Sequence, residues 1–371
     1  MPNSLLFIPD ISGFTEFVQN TEIEHSRHVI AELLEVLINA NTQELQLAEI
    51  EGDALFFYRE NYTPSQEQLL AQFENMFTAF YSHLKILEKN RVCSCNACAT
   101  APKLQLKIVA HTGPLQFINV HNTHKPFGEV VIEAHRLLKN SINSDNYVLI
   151  SGELSNGIGL SSDYKSMLFQ FESGADNYDS KEIQYHFAQI SNDNLKLKSF
   201  PEPKLINFNC SPNLVFEKQF PVAASELLEK ITNYKYRHDW VDGVDEFVYN
   251  EDEVTRLGTE HTCVINGKHL DFITVSKKGK PGQIVYGELT QSIPIADEVY
   301  QFYILTPIDG QNCTLNLEVF WRSKSPIKKL LMILFGKPGL KKSVKKGLEA
   351  LSLRHISEPT RLRRISYAVF C

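Results

Sequence analysis

The sequence predicts an α+β protein of two domains, on three observations. Amphipathic helical stretches alternate with short apolar strands through the first 150 residues. A polar, proline-containing stretch at 196–212 then breaks that pattern. Beyond it, several strand-like segments are followed by one long basic helix. The expected boundaries are 1–195 for the first domain, 196–212 for a linker and 213–350 for the second domain.

Taken in order, Leu5 to Ile8 reads as a buried strand ending at Pro9. Residues 22–40 carry Val29, Ile30, Leu33, Leu34, Val36 and Leu37 at helical spacing. Leu45–Ile50 and Ala54–Tyr58 flank Glu51-Gly52-Asp53 as a hairpin. A second helix is expected over 65–87, strands over 104–111 and 115–120, a third helix over 129–140 and a returning strand over 147–151. This spacing suggests helices covering one face of a mostly antiparallel sheet. In the second domain, a strand at 215–220 and a helix at 223–232 precede Arg237-His-Asp-Trp240. Strands follow at 260–265, 272–276, 284–289, 300–306 and 316–321. The last helix, 326–350, is expected to bend at Gly336–Gly339; Leu330–Phe335 with Lys341–Lys346 reads either as a membrane-surface helix or, as preferred, as an apolar face packed on the sheet with its lysines in water.

Of 371 residues, 43% are hydrophobic and 22% charged, enough to bury cores rather than stay disordered. The net charge of −7 argues against a general nucleic-acid binder, whose partner selects for a basic face. A nucleotide pocket needs only a few local charges and is not excluded. The apolar run Leu5–Ile8 has no basic segment before it and no cleavage signal after it, so no signal peptide is expected. No apolar run is long enough for an integral membrane segment, and the expected location is cytoplasmic.

The stretch 351–371 reads as foreign to the protein. Back-translated, Ile356-Ser-Glu-Pro-Thr-Arg361 and Ile365-Ser-Tyr-Ala-Val-Phe-Cys371 fit familiar sequencing-adapter oligonucleotides, and the codons between them fit an index. Adapter read-through is expected here, with a basic, disordered tail as the plain alternative.

The chemistry-bearing residues begin with two aspartates. Phe7-Ile-Pro-Asp-Ile-Ser-Gly-Phe-Thr15 ends a strand on Asp10 and turns through a glycine into a helix. Glu51-Gly-Asp-Ala54 sets Asp53 at a hairpin tip. Two carboxylates at adjacent strand ends can share divalent ions, which activate a hydroxyl and neutralise a triphosphate. The backbone amides around Ser12 and Gly13, at a helix N-terminus, are expected to cradle phosphate.

Four motifs in order resemble class III adenylyl and guanylyl cyclases over about residues 4–150. Asp10-Ile-Ser-Gly-Phe-Thr15 resembles the first metal-binding motif and Gly52-Asp53-Ala54 the second. Lys107-Ile-Val-Ala-His-Thr-Gly113 resembles the strand that follows, and Gly128-Glu-Val-Val-Ile-Glu-Ala-His-Arg-Leu137 the late helix. The resemblance implies a ferredoxin-like-derived cyclase domain acting on a nucleoside triphosphate. It implies two Mg2+ or Mn2+ ions per site on Asp10 and Asp53, with the Ile11 carbonyl assisting. It implies Arg136 as the catalytic arginine that stabilises the transferring phosphoryl group. It also implies a head-to-tail homodimer in which each site draws on both chains.

Two departures accompany this pattern. Ile132 stands where the family carries an asparagine for the ribose. Glu49 and Lys125 fall at the two base-reading positions, charge-swapped relative to the adenylyl pattern. They either read a different base or pair with each other across an empty site. Three functions therefore stay open: a signalling cyclase, a nucleotide sensor on a degenerate cyclase scaffold, and a protein acting only through its second domain.

Three of the seven cysteines, Cys93, Cys95 and Cys98, crowd one loop. In a reducing compartment such a cluster suggests metal or redox chemistry before disulfides. Three thiolates need a fourth ligand for a closed Zn2+ site, expected from His83, His111 or a cysteine of the partner subunit. Half-buried thiols without metal are the plain alternative. His25 and His28, one turn apart, are expected on a solvated helix face.

In the second domain, Val215-Phe-Glu-Lys-Gln-Phe-Pro-Val-Ala-Ala-Ser225, Trp240-Val-Asp-Gly-Val244 and the final helix resemble the helix-grip fold of the START and polyketide-cyclase-like (SRPBCC) superfamily. That resemblance implies a curved sheet gripping a long helix around an apolar cavity. It implies a hydrophobic small molecule as ligand, with no catalytic constellation.

Overall fold

A computed structural model describes residues 2–357 except 22, 94, 122, 162–163, 179–180, 201–204, 242, 251–254 and 266. The chain folds into two compact units, the first mainly residues 1–89 and 95–201, the second mainly 202–251 and 255 onward. Both mix helices with strands, as an α+β protein does.

The first unit runs β1 (Asn3–Ser12), α1 (Phe14–Gln19), α2 (Ile23–Asn39), β2 (Gln46–Glu51), β3 (Ala54–Arg59), α3 (Gln66–Lys89) and α4 (Asn96–Thr100). It continues with β4 (Gln105–Pro114), β5 (Gln116–Val120), β6 (Thr123–Phe127), α5 (Glu129–Leu137), β7 (Tyr147–Ser151), α6 (Gly152–Gly157), β8 (Glu172–Tyr178) and β9 (Lys181–Gln189). The described strands form a seven-stranded sheet in the order β2-β3-β1-β4-β7-β9-β8, and β5 pairs with β6 as a separate hairpin. Only the β4–β7 pairing in the large sheet is parallel.

β1 is an interior strand, between β3 and β4, and is buried along almost its whole length. A strand buried on both faces needs cover on both. Leu6 and Ile8 pack with Ala54, Phe56, Val130 and Ala134, so α5 covers one face. Phe7 points the other way and stacks on Phe73 of α3 at 5.4 Å. The expectation of helices on one face is thus corrected: alternate residues of β1 are apolar on both sides, and each side has its own helix. β1 also continues past Pro9, where the sequence suggested a stop. Pairing with β3 passes from Phe7↔Phe57 to Asp10↔Ala54, while the ladder to β4 is unbroken. Pro9 lacks an N–H and sits in that gap. At the far end of β4, α5 approaches so closely that a Cβ on Gly113 would meet Val130 Cγ2 at 2.7 Å.

The second unit runs β10 (Leu214–Phe220), α7 (Ala224–Thr232), α8 (Arg237–Trp240), β11 (Val244–Val248), β12 (Glu260–Ile265), β13 (Lys268–Val275), β14 (Ile284–Thr290), β15 (Glu298–Pro307) and β16 (Cys313–Arg322). α9 (Pro326–Leu331), a π-helical turn (Met332–Gly336) and α10 (Lys337–Ser357) complete it. Its strands form one antiparallel sheet in the order β10-β16-β15-β14-β13-β12-β11. α10 packs against α8 and β10. The π turn falls beside the expected Gly336–Gly339 bend. Pro338 has no N–H for the preceding turn, so the regular ladder has to open there.

The expected burial of Leu330–Phe335 is overturned. Ile327, Leu330, Ile333, Leu334 and Phe335 are 55 to 68% exposed, and only Met332 of the π turn is buried. α10 runs to Ser357, into the stretch read as adapter sequence, and Leu351 is buried. Residues 358–371 lie outside the described residues. No helix among the described residues is long and apolar enough to cross a membrane.

Candidate active site

The site is built on β1, the β2–β3 hairpin and β4. Gly52 takes a left-handed backbone (φ +72°), which lets the hairpin reverse in two residues and brings Asp53 back toward β1. The Ile11 N–H donates to the Asp53 carbonyl at 3.1 Å, which ties the hairpin tip to the strand. Asp10 pairs in register with Ala54 on one side and with Lys107 on the other. Residues opposite one another in a ladder share a face, so Lys107 reaches Asp10, Nζ to Oδ1, at 3.6 Å.

The two carboxylates feel each other. Burial pushes the Asp10 pKa up to about 6; the Lys107 cation opposes this and the Asp53 carboxylate adds to it. Burial also raises Asp53, against its own backbone hydrogen bond and Lys107. Ser12 lies two residues beyond Asp10, on the same face of β1. It is 5% exposed, and its hydroxyl has no hydrogen-bond partner. Gly13 caps α1 in a left-handed conformation (φ 87°). α1 has only six residues, so the expected phosphate cradle rests on a short helix. Ile11 is fully buried by its side chain.

The remaining expected residues lie around this centre. Glu49 on β2 and Lys125 on β6 form an exposed ion pair at 2.9 Å. Arg136 on α5 acts electrostatically on Tyr178 of β8. Ile132 on the same helix is 54% exposed. His135, also on α5, holds Glu51 of the hairpin at 2.9 Å. Below it, Glu133 meets His111 at 3.3 Å and pairs with Lys181. His111 and Lys181 hold the Glu133 pKa down at about 2 against the effect of burial.

Lys107 is the residue the sequence reading passed over. Its signal was the register of β1 against β4, which no local pattern carries. A set of hard oxygen donors with one unsatisfied buried hydroxyl suits Mg2+ or Mn2+. The same cluster already holds one cation, the Lys107 ammonium.

The cysteines gather apart from this centre, around His25. His83 is engaged with Glu32 at 2.7 Å and His111 with Glu133, so neither is the expected fourth donor. The imidazole beside the thiols is His25, at 3.1 Å from Cys95 Sγ and 3.5 Å from Cys98 Sγ. Its expected place on a solvated face is therefore corrected. His28 stays near the surface beside Arg27 at 3.0 Å.

Inside the second unit a cavity of about 170 Å³ is lined by Trp240, Phe247, Phe272, Tyr303 and Leu348, with Arg237 and Glu288 in its wall. Arg237 donates to the Tyr286 hydroxyl at 3.0 Å and pairs with Glu288. The sequence reading marked the Arg237-His-Asp-Trp240 segment but assigned it no partner; Glu288 lies 51 residues away in the chain.

Residues 30–147 match a family described as a protein of unknown function (DUF2652). An uncharacterised protein of Mycobacterium tuberculosis is 30% identical over 122 residues, 33% of this chain and 57% of that protein. The chain thus covers less than two thirds of the curated relative it matches. About half of the chain is similar to solved cyclase catalytic domains. One is the catalytic core of a rhodopsin-guanylyl cyclase with converted specificity, in complex with ATPαS (13% identity, 51% of this chain, 96% of that chain, TM-score 0.38). Others are the adenylyl cyclase CyaB of P. aeruginosa (16%, 52%, 96%, 0.37) and a bacterial light-regulated adenylyl cyclase (15%, 53%, 92%, 0.37).

Proposed function

We propose that the first unit is a metal-dependent nucleoside-triphosphate site of the nucleotidyl-cyclase type, working as a head-to-tail homodimer in signalling. The carrying observation is the convergence of Asp10 and Asp53, partly buried, at one end of adjacent strands. Asp10, Asp53 and the Ile11 carbonyl would hold two Mg2+ or Mn2+ ions. Such ions supply charge neutralisation for the triphosphate and acidify the attacking ribose hydroxyl. The Ser12 hydroxyl and the Gly13 amide would bind phosphate oxygens. Arg136 would act across the dimer on the transferring phosphoryl group. Exposed Leu47, Ile50, Phe127 and Ile132 on β2, β6 and α5 are apolar surface of the kind a second copy covers.

A second reading, a binding-only nucleotide sensor, is favoured by specific residues. Lys107 occupies the Asp10 carboxylate, Glu49 and Lys125 satisfy each other, and Ile132 offers no donor. One missing transition-state donor costs about 10²–10³ in rate, so slow turnover and binding alone are the two outcomes to separate. For the second unit we propose a helix-grip ligand-binding role. Its cavity has room for about one ring-sized apolar group, with a polar end at Arg237.

The test is pyrophosphate release with Mn2+ and each of ATP, GTP, CTP and UTP, beside Asp10→Ala and Asp53→Ala. Release abolished in both variants supports the cyclase reading. Metal-dependent binding without release selects the sensor, and full activity in Asp10→Ala removes the site altogether.

A further inference from the structure

We propose that His25, Cys93, Cys95 and Cys98 form a closed structural Zn2+ site. The four donor atoms lie within 4.8 Å of one another, although His25 and Cys95 are 70 residues apart in the chain. A tetrahedral Zn2+ with bonds of about 2.3 Å to sulfur and about 2.0–2.1 Å to nitrogen sets its donors about 3.5–3.8 Å apart. His25 Nδ1 stands at 3.1 Å and 3.5 Å from the sulfurs of Cys95 and Cys98. One small ion fits such a set; a cluster of several metals does not. The Cys95 sulfur also accepts the Cys98 N–H at 3.3 Å, which fixes the two thiols at the start of α4. All three cysteines are buried.

Four protein donors fill a tetrahedron, so no position is left for substrate and the role is structural. The ion joins the first turn of α2 to α4, the element that leads into β4. It thereby braces two segments next to the Asp10 turn and to Lys107. Three thiolates with one imidazole select Zn2+ over Mg2+ or Mn2+, so the site is chemically separate from the aspartate pair.

Zinc content of the purified full chain, dialysed against EDTA, tests this. One zinc per chain should remain in the wild type and in Asp10→Ala/Asp53→Ala, and should be lost in His25→Ala and in Cys95→Ser/Cys98→Ser. If those variants fail to fold, the Co2+-substituted wild type decides. Intense visible d–d bands with thiolate-to-cobalt charge transfer mark a tetrahedral sulfur site. A weak six-coordinate spectrum, a disulfide among the three cysteines, or zinc lost with the aspartates but kept without the thiols would overturn the assignment. None of these readouts depends on nucleotide turnover, so this site and the cyclase reading fail separately.

An independent observation carries a second inference. Ile327, Leu330, Ile333, Leu334 and Phe335 project from α9 and the π turn at 55 to 68% exposure. Lys329, Lys337, Lys341, Lys342, Lys345 and Lys346 flank them along the chain, Lys328 pairs with Asp297 at 2.6 Å, and Glu349 is the one acid between 326 and 350. We infer that this face docks on an anionic lipid surface. Apolar side chains enter the headgroup boundary while each nearby lysine adds about 1 kcal/mol of attraction. Flotation with phosphatidylcholine vesicles, with and without about one-third phosphatidylserine, tests it. Binding should require the anionic lipid, weaken with salt and disappear in Leu334→Ser/Phe335→Ser, whose surface positions leave folding intact. Unchanged binding by that variant overturns the inference. So does self-association through this face, seen as a dimer that the variant dissolves.

Discussion

Glu288→Gln should destabilise the second unit by about 3–5 kcal/mol, the cost of leaving a buried charge without its partner. Arg237 and Glu288 are each about 3% exposed, and the Tyr286 hydroxyl donates to the same carboxylate oxygen at 2.6 Å. Burial works to raise the Glu288 pKa, but the Arg237 guanidinium outweighs it and the net value lies below the usual 4.5. For a unit of roughly 150 residues each kcal/mol is worth about 2–4 °C, so Tm should fall by about 6–20 °C. Both tryptophans, Trp240 and Trp321, belong to this unit, so urea unfolding followed by tryptophan fluorescence reads it selectively. Arg237→Met/Glu288→Leu should recover most of the loss, because apolar replacements carry no charge to desolvate. The sign with pH follows from the lowered pKa. The contribution of Glu288 is complete above about pH 4.5 and is lost as pH falls through its lower folded value. The gap between wild type and Glu288→Gln should therefore hold near neutrality and narrow only in acid. A single-variant loss under about 1 kcal/mol, or a double variant as unstable as the sum of its singles, refutes this account of the pair.

Three more outcomes are expected. Burial lowers the His261 pKa from 6.5 to about 4, with Glu288 opposing and Arg237 adding. The unfolded state thus takes up the proton first, and stability should drop by on the order of 3 kcal/mol as pH falls through that window. His261 stacks on Phe272 at 5.1 Å, so His261→Phe should flatten the curve; parallel curves in the same fluorescence assay would count against it. Gly113→Ala should cost about 1–3 kcal/mol by driving a methyl into Val130, read from the melting of the whole chain by circular dichroism. Lys125→Ala should leave Tm almost unchanged, since exposed ion pairs are worth about 0–1 kcal/mol, while shifting relative nucleotide affinity in titrations. A large Tm change with unaltered nucleotide preference would make the Glu49–Lys125 pair purely structural.

The sequence by itself determined the features that local pattern encodes. β7 at 147–151, the long helices α2 and α3, and the hairpin turning on Gly52 follow from periodicity and from one glycine's freedom. Asp10 and Asp53 were visible because each ends a recognisable strand or turn. β8 was not visible, since Glu172–Tyr178 forms an edge strand with no apolar run. Tertiary structure alone decided what meets across the chain. Lys107 faces Asp10 only through the register of β1 on β4, and a shift of one residue would turn it to the other face. His25 joins cysteines 70 residues away, where spacing pointed to His83 or His111. Arg237 of α8 finds Glu288 of β14, 51 residues on, only in the folded chain. The residues from 327 to 335 show the same limit in reverse. Their apolar pattern predicts burial, but in the folded chain all but Leu331 and Met332 of the large apolar side chains there stay more than half exposed. Periodicity says which face of an element is apolar; only the packing of the elements says what that face meets.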